Sequence, residues 1–277
     1  MFMFKKLKNV VYHETMLEAH TADVYLPTSD EDAPLVILVH GGAFQAGSKE
    51  MYDAWGPYLA QQGIACMSIN YTLSNPHRPS ITQILEEMEA ATKFVVKQAT
   101  EWKIDPMKIG FMGDSAGGYL GTMAAFAPER SSVKIKFVIS VYGVLDIIEW
   151  HDHTNASRTD FVVNKLFGSG PREAKDVYLN ASPLHLLDDV AQNPMFDTKF
   201  FMIWGEADEV VNPKVQTEAF IKKLSAYGIK HKALAIKDQG HFWFTKNDTT
   251  QPDELTPLLR DTVAPKIVEF IYETISF

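Results

Sequence analysis

The chain has 277 residues, of which 46% are hydrophobic and 22% are charged. This balance is ordinary for a folded enzyme and excludes the compositions of disordered, collagen-like and coiled-coil chains. The formal net charge is −9, and no basic cluster with interleaved aromatic residues occurs, so nucleic acid is not an expected partner. The length suits one domain with a single large core, and we expect residues 1–277 to form it.

The amino-terminal segment MFMFKKLKNVV carries lysines where a signal peptide would need an apolar core. No apolar run long enough to cross a bilayer follows it. We therefore expect a soluble, cytoplasmic protein without membrane insertion. The single cysteine, Cys66, lies in an apolar run and excludes an intramolecular disulfide. The sequence leaves the oligomeric state open, a homo-oligomer included.

Short apolar runs alternate with segments of helical period, which is typical of parallel strands covered by helices on both faces of a sheet. An antiparallel pair of strands at 9–14 and 21–26 is predicted at the sheet edge. Six parallel strands are predicted at 35–40, 64–71, 108–113, 135–142, 199–204 and 232–236. Helices are predicted at 81–100, 116–126, 214–227 and 264–274. The predicted fold class is α/β with a mostly parallel central sheet.

One long segment, at about 147–198, breaks this alternation. It contains no clear strand, but it holds several prolines and aromatic residues, among them Trp150, Phe161 and Phe167. An insertion of this size predicts a cap that shapes a binding pocket. The alternative is a surface excursion of helices that only covers the sheet ends.

A nucleophile is predicted at Ser115, because residues 113–117 read Gly-Asp-Ser-Ala-Gly and match the pattern G-x-S-x-G. A predicted strand precedes this motif and a small-residue helix follows it, which is the context that the motif requires. The turn from strand to helix is too tight for β-carbons beside the serine, hence the glycines. The helix amino terminus would direct backbone N–H groups toward negative charge that forms at Ser115.

A second loop, His-Gly-Gly-Ala-Phe at residues 40–44, directly follows a predicted strand. Adjacent glycines allow successive N–H groups to face the nucleophile, so this loop and the N–H of Ala116 are predicted to hold a tetrahedral oxyanion. Taken alone, two glycines would indicate only an ordinary loop.

The remaining catalytic groups are sought after the last two predicted strands. Asp208 lies in the loop after one of them and is the predicted acid, with Glu206 and Glu209 as rivals. Asp238 lies too close to His241 to approach it from a separate strand end. His241 follows Gly240 after the final strand and is the predicted general base. The chain order is then Ser, Asp, His.

The stretch His151, Asp152 and His153 contains residue types that bind metals. These residues lack the helical spacing of H-E-x-x-H, and no further ligand cluster follows, so a polar stretch is the favoured interpretation. No metal or other cofactor is predicted.

These motifs together resemble the α/β-hydrolase superfamily, in particular esterases of the hormone-sensitive-lipase-like and the feruloyl or acetyl-xylan esterase-like groups. The matching stretches are HGGAF at 40–44, SINYTL at 68–73, GDSAGG at 113–118, ASPL at 181–184, GEADEVV at 205–211 and GHFWF at 240–244. The resemblance implies the α/β-hydrolase fold, and it implies that the oxyanion N–H groups belong to Gly42, Ala43 and Ala116.

The sequence departs from that family pattern at two positions. Ala43 replaces the third glycine of the loop at residues 40–44, which we call the oxyanion loop. Its methyl group would disfavour esters of tertiary alcohols. Thr72 stands where an arginine usually follows the tyrosine in hormone-sensitive-lipase-like members.

The favoured function is a carboxylesterase for small or medium acyl esters, with acetylated or feruloylated sugars as candidate substrates. Phe44, Trp243 and Phe244 are predicted to line the substrate pocket, together with aromatic residues of the cap. The same triad could instead hydrolyse amides, as in arylformamidases or some peptidases. A non-catalytic binding module is the third interpretation, which the complete triad disfavours.

Overall fold

A computed structural model describes residues 1–15, 19–74, 81–127, 133–157, 166–245 and 254–276. Within these ranges, eight strands form one sheet in the order β1-β2-β4-β3-β5-β6-β7-β8. Their bounds are Phe4–Glu14 (β1), Ala19–Pro27 (β2), Ala33–Val39 (β3), Ala65–Ile69 (β4), Ile104–Asp114 (β5), Phe137–Val141 (β6), Lys199–Gly205 (β7) and His231–Ile236 (β8). β1 and β2 are antiparallel to their neighbours, and the other six strands run parallel. The predicted α/β architecture is confirmed.

The helices of the described ranges cover both faces of the sheet. They are Trp55–Gln61 (α1), Ile81–Trp102 (α2), Ala116–Ala125 (α3), Ile147–Ser157 (α4), Lys175–Leu179 (α5), Pro183–Val190 (α6), Thr217–Ala226 (α7) and Ala264–Ile275 (α8). A short 3₁₀ turn at Lys49–Tyr52 precedes α1, and a π-helical turn at Leu259–Val263 leads into α8. All four predicted helices are present, with ends within three residues of the prediction.

Two apolar layers hold the helices to the sheet, because successive side chains of a strand point to opposite faces. On β3, Leu35 and Ile37 belong to the layer that packs under α2, α3 and α7. Val36 and Leu38 of the same strand belong to the layer under α1 and α8. All seven residues of β3 are buried, as expected for a central parallel strand.

The strand bounds differ from the prediction in two instructive ways. β5 begins at Ile104, four residues early, and it contains Pro106, whose missing N–H coincides with an irregular register against β3. At the other end, His40, Tyr71 and Tyr142 were predicted as strand residues but lie just beyond β3, β4 and β6. The apolar pattern continues there while the chain already turns into the loops at the carboxyl ends of the strands.

The segment between β6 and β7 holds α4, α5 and α6, and no strand occurs in its described part. Residues 158–165, including Phe161, lie outside the described ranges. The segment is attached to the sheet where β6 ends, since Leu184 N–H donates to the carbonyl of Leu145 at 2.8 Å and Ile147 N–H donates to Ser182 Oγ at 3.0 Å. Among the described helices, none has the length and apolar character to cross a bilayer.

Candidate active site

Ser115 lies at a sharp turn between the end of β5 and the start of α3. Its backbone φ of 52° is in the left-handed region, where a residue with a β-carbon is strained. Ser115 N–H donates to the carbonyl of Val141 at 2.9 Å, which ties the turn to β6. A β-carbon at Gly117 would collide with the carbonyl oxygen of Val39. The glycines of the motif are therefore required by close backbone approach, as the sequence indicates.

The structure brings Ser115, His241 and Asp208 into one hydrogen-bonded chain. His241 Nε2 lies 3.0 Å from Ser115 Oγ, and His241 Nδ1 lies 2.7 Å from Asp208 Oδ2. A carboxylate only accepts, so Nδ1 carries the proton and Nε2 is left to accept the Ser115 hydroxyl proton. The side chains of His241 and Asp208 are 2% and 0% exposed. Burial strengthens this charge-assisted contact because little water competes with it.

Asp208 is oriented by its own loop after β7. Its Oδ1 accepts the backbone N–H groups of Val210 and Val211, both at 2.9 Å, which leaves Oδ2 for the histidine. The rivals Glu206 and Glu209 are both exposed to solvent. Asp208 is thus the carboxylate of this loop that faces His241.

The loop that carries His241 crosses directly over the end of β7. A β-carbon at Gly205 would collide with the carbonyl oxygens of Gln239 and Gly240. Ala207 N–H donates to the carbonyl of Gln239 at 2.9 Å. The loop after β7 that carries Asp208 (the acid loop) and the loop after β8 that carries His241 (the histidine loop) are therefore joined by backbone as well as by side chains.

The loop after β3 has an unusual backbone. Gly42, Ala43 and Phe44 all have positive φ, at 108°, 53° and 61°. Within the described residues, the N–H groups of Gly42, Ala43 and Ala116 form no backbone hydrogen bond. Donors left open in this way are available to a bound oxyanion.

A buried histidine supports this loop from behind. The His40 ring stacks on Tyr71 with centroids 4.2 Å apart and planes inclined by 15°, and Tyr71 Oη donates to the His40 carbonyl at 2.9 Å. His40 Nδ1 donates to the carbonyl of Gly41 at 2.7 Å. Burial lowers the pKa of His40 to about 4, so the ring is neutral at pH 7 and acts as a rigid support.

Asp114 is a site residue that sequence reasoning missed. It precedes Ser115, is buried, and accepts hydrogen bonds at Oδ1 from Gly41 N–H and Tyr52 Oη, both at 3.0 Å. Burial raises the pKa of Asp114 to about 6, although both donors act in the opposite direction. An acidic residue inside an otherwise apolar and glycine-rich stretch was the available signal.

The aromatic residues near the site are arranged differently from the prediction. Phe44 and Phe244 have no exposed surface: Phe44 packs edge-on against Tyr119, and Phe244 stacks on Trp55 at 4.6 Å. These two rings belong to the packed interior and do not line an open pocket, which corrects the prediction. Trp243 is 6% exposed.

Phe242 is instead the exposed aromatic residue beside the base. It is 66% exposed, and its ring stands edge-on to the His241 imidazole with centroids 4.7 Å apart. The sequence gives no periodicity for this irregular loop, so which of its three consecutive aromatic residues faces solvent was not predictable.

The His-Asp-His stretch lies on α4. His151 Nδ1 contacts Asp152 at 3.1 Å, whereas His153 Nε2 donates to the carbonyl of Glu209 at 2.8 Å. Across the described part of the chain, no group of three or more histidine, cysteine or acidic side chains has the arrangement of a metal site.

Comparisons with known proteins identify the family and the fold of this chain. The BD-FAE family model matches residues 22–224. A probable carboxylic ester hydrolase, LipM, and the esterase LipC, both of Mycobacterium tuberculosis, are 28% and 29% identical over 69% and 73% of this chain. These alignments cover 45% and 50% of the relatives, so the chain spans about half the length of the curated relatives it matches.

Solved structures show the same fold over the whole chain. A carbohydrate esterase from gut microbiota aligns with a TM-score of 0.76 at 23% identity, covering 100% of this chain and 98% of that one. Esterase 2 of Thermogutta terrifontis aligns with a TM-score of 0.73 at 19% identity, covering 98% and 92%.

The sheet order, the turn at Ser115 and the shared fold of the solved structures define the α/β-hydrolase fold class. Within that class, the chain belongs to the BD-FAE family, whose model matches most of its length.

Proposed function

We propose that the protein is a serine carboxylic-ester hydrolase that works through an acyl-enzyme on Ser115. The observation that carries this proposal is the buried hydrogen-bonded chain from Ser115 Oγ through His241 to Asp208, at 3.0 and 2.7 Å. A nucleophile within reach of a base that a third group orients is the arrangement that nucleophilic catalysis requires.

In the acylation half-reaction, His241 Nε2 accepts the hydroxyl proton as Ser115 Oγ bonds to the ester carbonyl carbon. The carbonyl π electrons move to oxygen, and the N–H groups of Gly42, Ala43 and Ala116 hold the resulting oxyanion. When the oxyanion collapses, the bond to the alcohol oxygen breaks, and the leaving alkoxide takes the proton from Nε2. The acyl group remains on Ser115, and Asp208 stabilises the imidazolium between these steps.

Deacylation repeats these reaction steps with water as the nucleophile. His241 Nε2 removes a proton from water, the hydroxide oxygen bonds to the acyl carbon, and the same N–H groups hold the second oxyanion. Collapse breaks the bond to Ser115 Oγ, which recovers its proton from Nε2. The carboxylic acid leaves and the enzyme is regenerated.

We further propose that α4 serves as part of a cap over the substrate, with the cap extending over about residues 147–198. Trp150 of α4 lies edge-on to Phe44 of the oxyanion loop, with ring centroids 6.4 Å apart. One turn later, His153 donates to the backbone of the acid loop at Glu209. A single helix therefore contacts loops on two sides of Ser115, which supports a role in enclosing the acyl or alcohol group.

Small or medium acyl esters, including acetylated or feruloylated sugars, are the proposed substrates. Two comparisons support this choice. An acetyl esterase of Salmonella paratyphi B is 30% identical over 58% of this chain, and a carbohydrate esterase shares the fold.

A substrate panel tests the proposal. Wild-type protein and Ser115→Ala are assayed with p-nitrophenyl esters of increasing acyl length, acetylated xylan, methyl ferulate and an arylformamide. We expect ester hydrolysis by the wild type, greatest for short acyl chains, and none above background for Ser115→Ala. Efficient arylformamide turnover with poor ester turnover would replace the esterase assignment by an amide hydrolase.

A further inference from the structure

Tyr142 is the first residue after β6, and its backbone is strained. Its φ of 38° lies in the left-handed region, which a residue with a bulky side chain enters only when its surroundings enforce it. Its N–H donates to the carbonyl of Ile203 at 2.7 Å, so the strained conformation is held by β7. The side chain is 1% exposed. Strained residues of this kind concentrate at functional sites.

Two contacts join Tyr142 to the histidine loop. Its ring lies beside the His241 imidazole, with centroids 4.4 Å apart and planes inclined by 48°. Its hydroxyl accepts the backbone N–H of Phe244 at 3.2 Å. One side chain therefore contacts both the base and the backbone three residues further along the same loop.

Residues 237–245, the part of the loop directly after β8 that the structure describes, have no regular secondary structure, so their position depends on contacts of this type. The Phe244 carbonyl accepts a hydrogen bond from Trp55 Nε1 at 3.1 Å. Together with Tyr142, this bond holds the backbone of Phe244 on both sides. The two contacts fix the backbone at Phe244, and the tyrosine ring limits where the imidazole can rotate.

The residue before Tyr142 holds the nucleophile. The carbonyl of Val141 accepts the backbone N–H of Ser115 at 2.9 Å. Val141 at the end of β6 and Tyr142 directly after it thus fix the backbone of the nucleophile and the ring of the base. Contacts of these two adjacent residues therefore help to fix the distance between Ser115 Oγ and His241 Nε2.

We propose that Tyr142 is a positioning residue for the general base, holding the His241 imidazole within hydrogen-bonding distance of Ser115 Oγ through its ring and the histidine loop through its hydroxyl. This inference rests on the proposed function. It predicts that Tyr142 governs how fast Ser115 reacts and has little influence on substrate binding, since its contacts are with the base and its loop.

The test compares Tyr142→Leu and Tyr142→Phe with a matched control, Tyr25→Phe. Tyr25 is also fully buried with one hydroxyl hydrogen bond, to Asp53 at 2.8 Å, but it lies on β2. The measurements are the rate of inactivation by a fluorophosphonate, and kcat and KM for p-nitrophenyl acetate. Thermal unfolding establishes that each variant is folded.

Removing the ring in Tyr142→Leu should lower kcat and the inactivation rate about 100-fold with KM little changed, as expected for a misplaced catalytic group. Removing only the hydroxyl in Tyr142→Phe should lower kcat and the inactivation rate roughly two- to tenfold, which is the range for one lost hydrogen bond. Proton NMR should show the downfield His241 Nδ1–H resonance in Tyr142→Phe and its loss in Tyr142→Leu. Tyr25→Phe should match the wild type in the inactivation rate, in kcat and KM, and in the His241 Nδ1–H resonance.

A folded Tyr142→Leu that reacts with the fluorophosphonate at the wild-type rate, or whose defect is confined to KM, would overturn the proposal. If the leucine variant does not fold, Tyr142→Phe decides, and wild-type rates in that variant overturn the proposal. Wild-type protein that is not labelled at Ser115 would instead refute the proposed function. If the wild type is labelled at Ser115 and the Tyr142 variants react at the wild-type rate, only the positioning role of Tyr142 is refuted.

Discussion

The Oδ1 atom of Asp114 accepts the backbone N–H of Gly41 at 3.0 Å, across 73 residues of sequence. This bond joins the turn that presents Ser115 to the loop that would hold the oxyanion. A β-carbon at Gly41 would press against the Asp114 carboxylate, so the two segments are in direct contact. The relative position of nucleophile and oxyanion loop therefore depends on a buried acid.

Replacing Asp114 by asparagine should stabilise the fold at neutral and alkaline pH. Burial raises the pKa of Asp114 from 3.8 to about 6, so the carboxyl favours the folded state below pH 3.8, and this contribution is lost as pH rises through about 6. The ionised group then reduces the free energy of unfolding by about 3 kcal/mol. Asparagine keeps an acceptor for Gly41 and carries no charge.

Urea unfolding of both proteins at two pH values measures this effect. The stability advantage of Asp114→Asn should grow by about 1 kcal/mol between about pH 5 and about pH 8. An advantage that shrinks over that interval would contradict the assigned direction of the pKa shift.

Ala43→Gly should widen the alcohol side of the site and relieve backbone strain. Ala43 has a φ of 53°, where a β-carbon costs about 1 kcal/mol relative to glycine. We expect the variant to be more stable by about that amount. Its kcat/KM for tert-butyl acetate, divided by that for ethyl acetate, should rise. An unchanged ratio would mean that the methyl group of Ala43 does not meet the alcohol.

Phe242→Ala and Phe244→Ala form a matched pair with opposite consequences. Phe242 is 66% exposed, so its removal should change stability by less than about 0.5 kcal/mol while altering KM for aromatic or long-chain esters. Phe244 is enclosed, and its removal should cost about 3 to 5 kcal/mol of stability. Calorimetry and steady-state kinetics on both variants check this contrast. Equal losses of stability would show that the exposures of the two rings are wrongly assigned.

Glu87→Ala should destabilise the fold strongly without touching the triad. Glu87 Oε1 lies 3.2 Å from His20 Nε2, and the carboxylate also accepts Thr72 N–H and Thr72 Oγ1–H at 2.8 and 2.6 Å. Burial favours the neutral acid, but these donors outweigh it and the pKa of Glu87 is lowered. The stabilisation is therefore present above pH 4.5 and lost as pH falls below it.

Removing one member of such a buried pair costs about 3 to 5 kcal/mol. Chemical denaturation at pH 7 tests this figure, with Lys93→Ala as control because Lys93 forms an ion pair with Glu89 on the same helix and its own side chain is 56% exposed. If both variants lose less than about 1 kcal/mol, Glu87 contributes no more than a surface ion pair.

The strands and the three residues of the triad could be predicted from the sequence because each carries a local signal. Apolar runs bounded by glycine, proline, asparagine or aspartate mark the parallel strands, and Ser115, Asp208 and His241 each follow one. The pairings of Asp114 with Gly41 and of Tyr142 with Phe244 could not be predicted, because they join residues 73 and 102 positions apart. Long-range contacts of this kind depend on how loops from different strands meet, which no period in the sequence records.

The exposure of the aromatic residues after β8 could not be predicted from the sequence either. Phe242, Trp243 and Phe244 are consecutive aromatic residues, yet one faces solvent and the next two are buried. In a strand or helix, periodicity would assign them to faces, but the described residues 237–245 after β8 have no repeating backbone geometry. The same limit explains why Phe44 was expected in a pocket although it packs against Tyr119.

The most direct test of the central claim is covalent modification of Ser115. Wild-type protein and Ser115→Ala are treated with phenylmethylsulfonyl fluoride and weighed intact by mass spectrometry, with the modified peptide located by digestion. We predict that the wild type gains one phenylmethylsulfonyl group on Ser115 and that Ser115→Ala gains none. An unmodified wild-type protein, or an adduct that persists in Ser115→Ala, would contradict the assignment of Ser115 as the nucleophile.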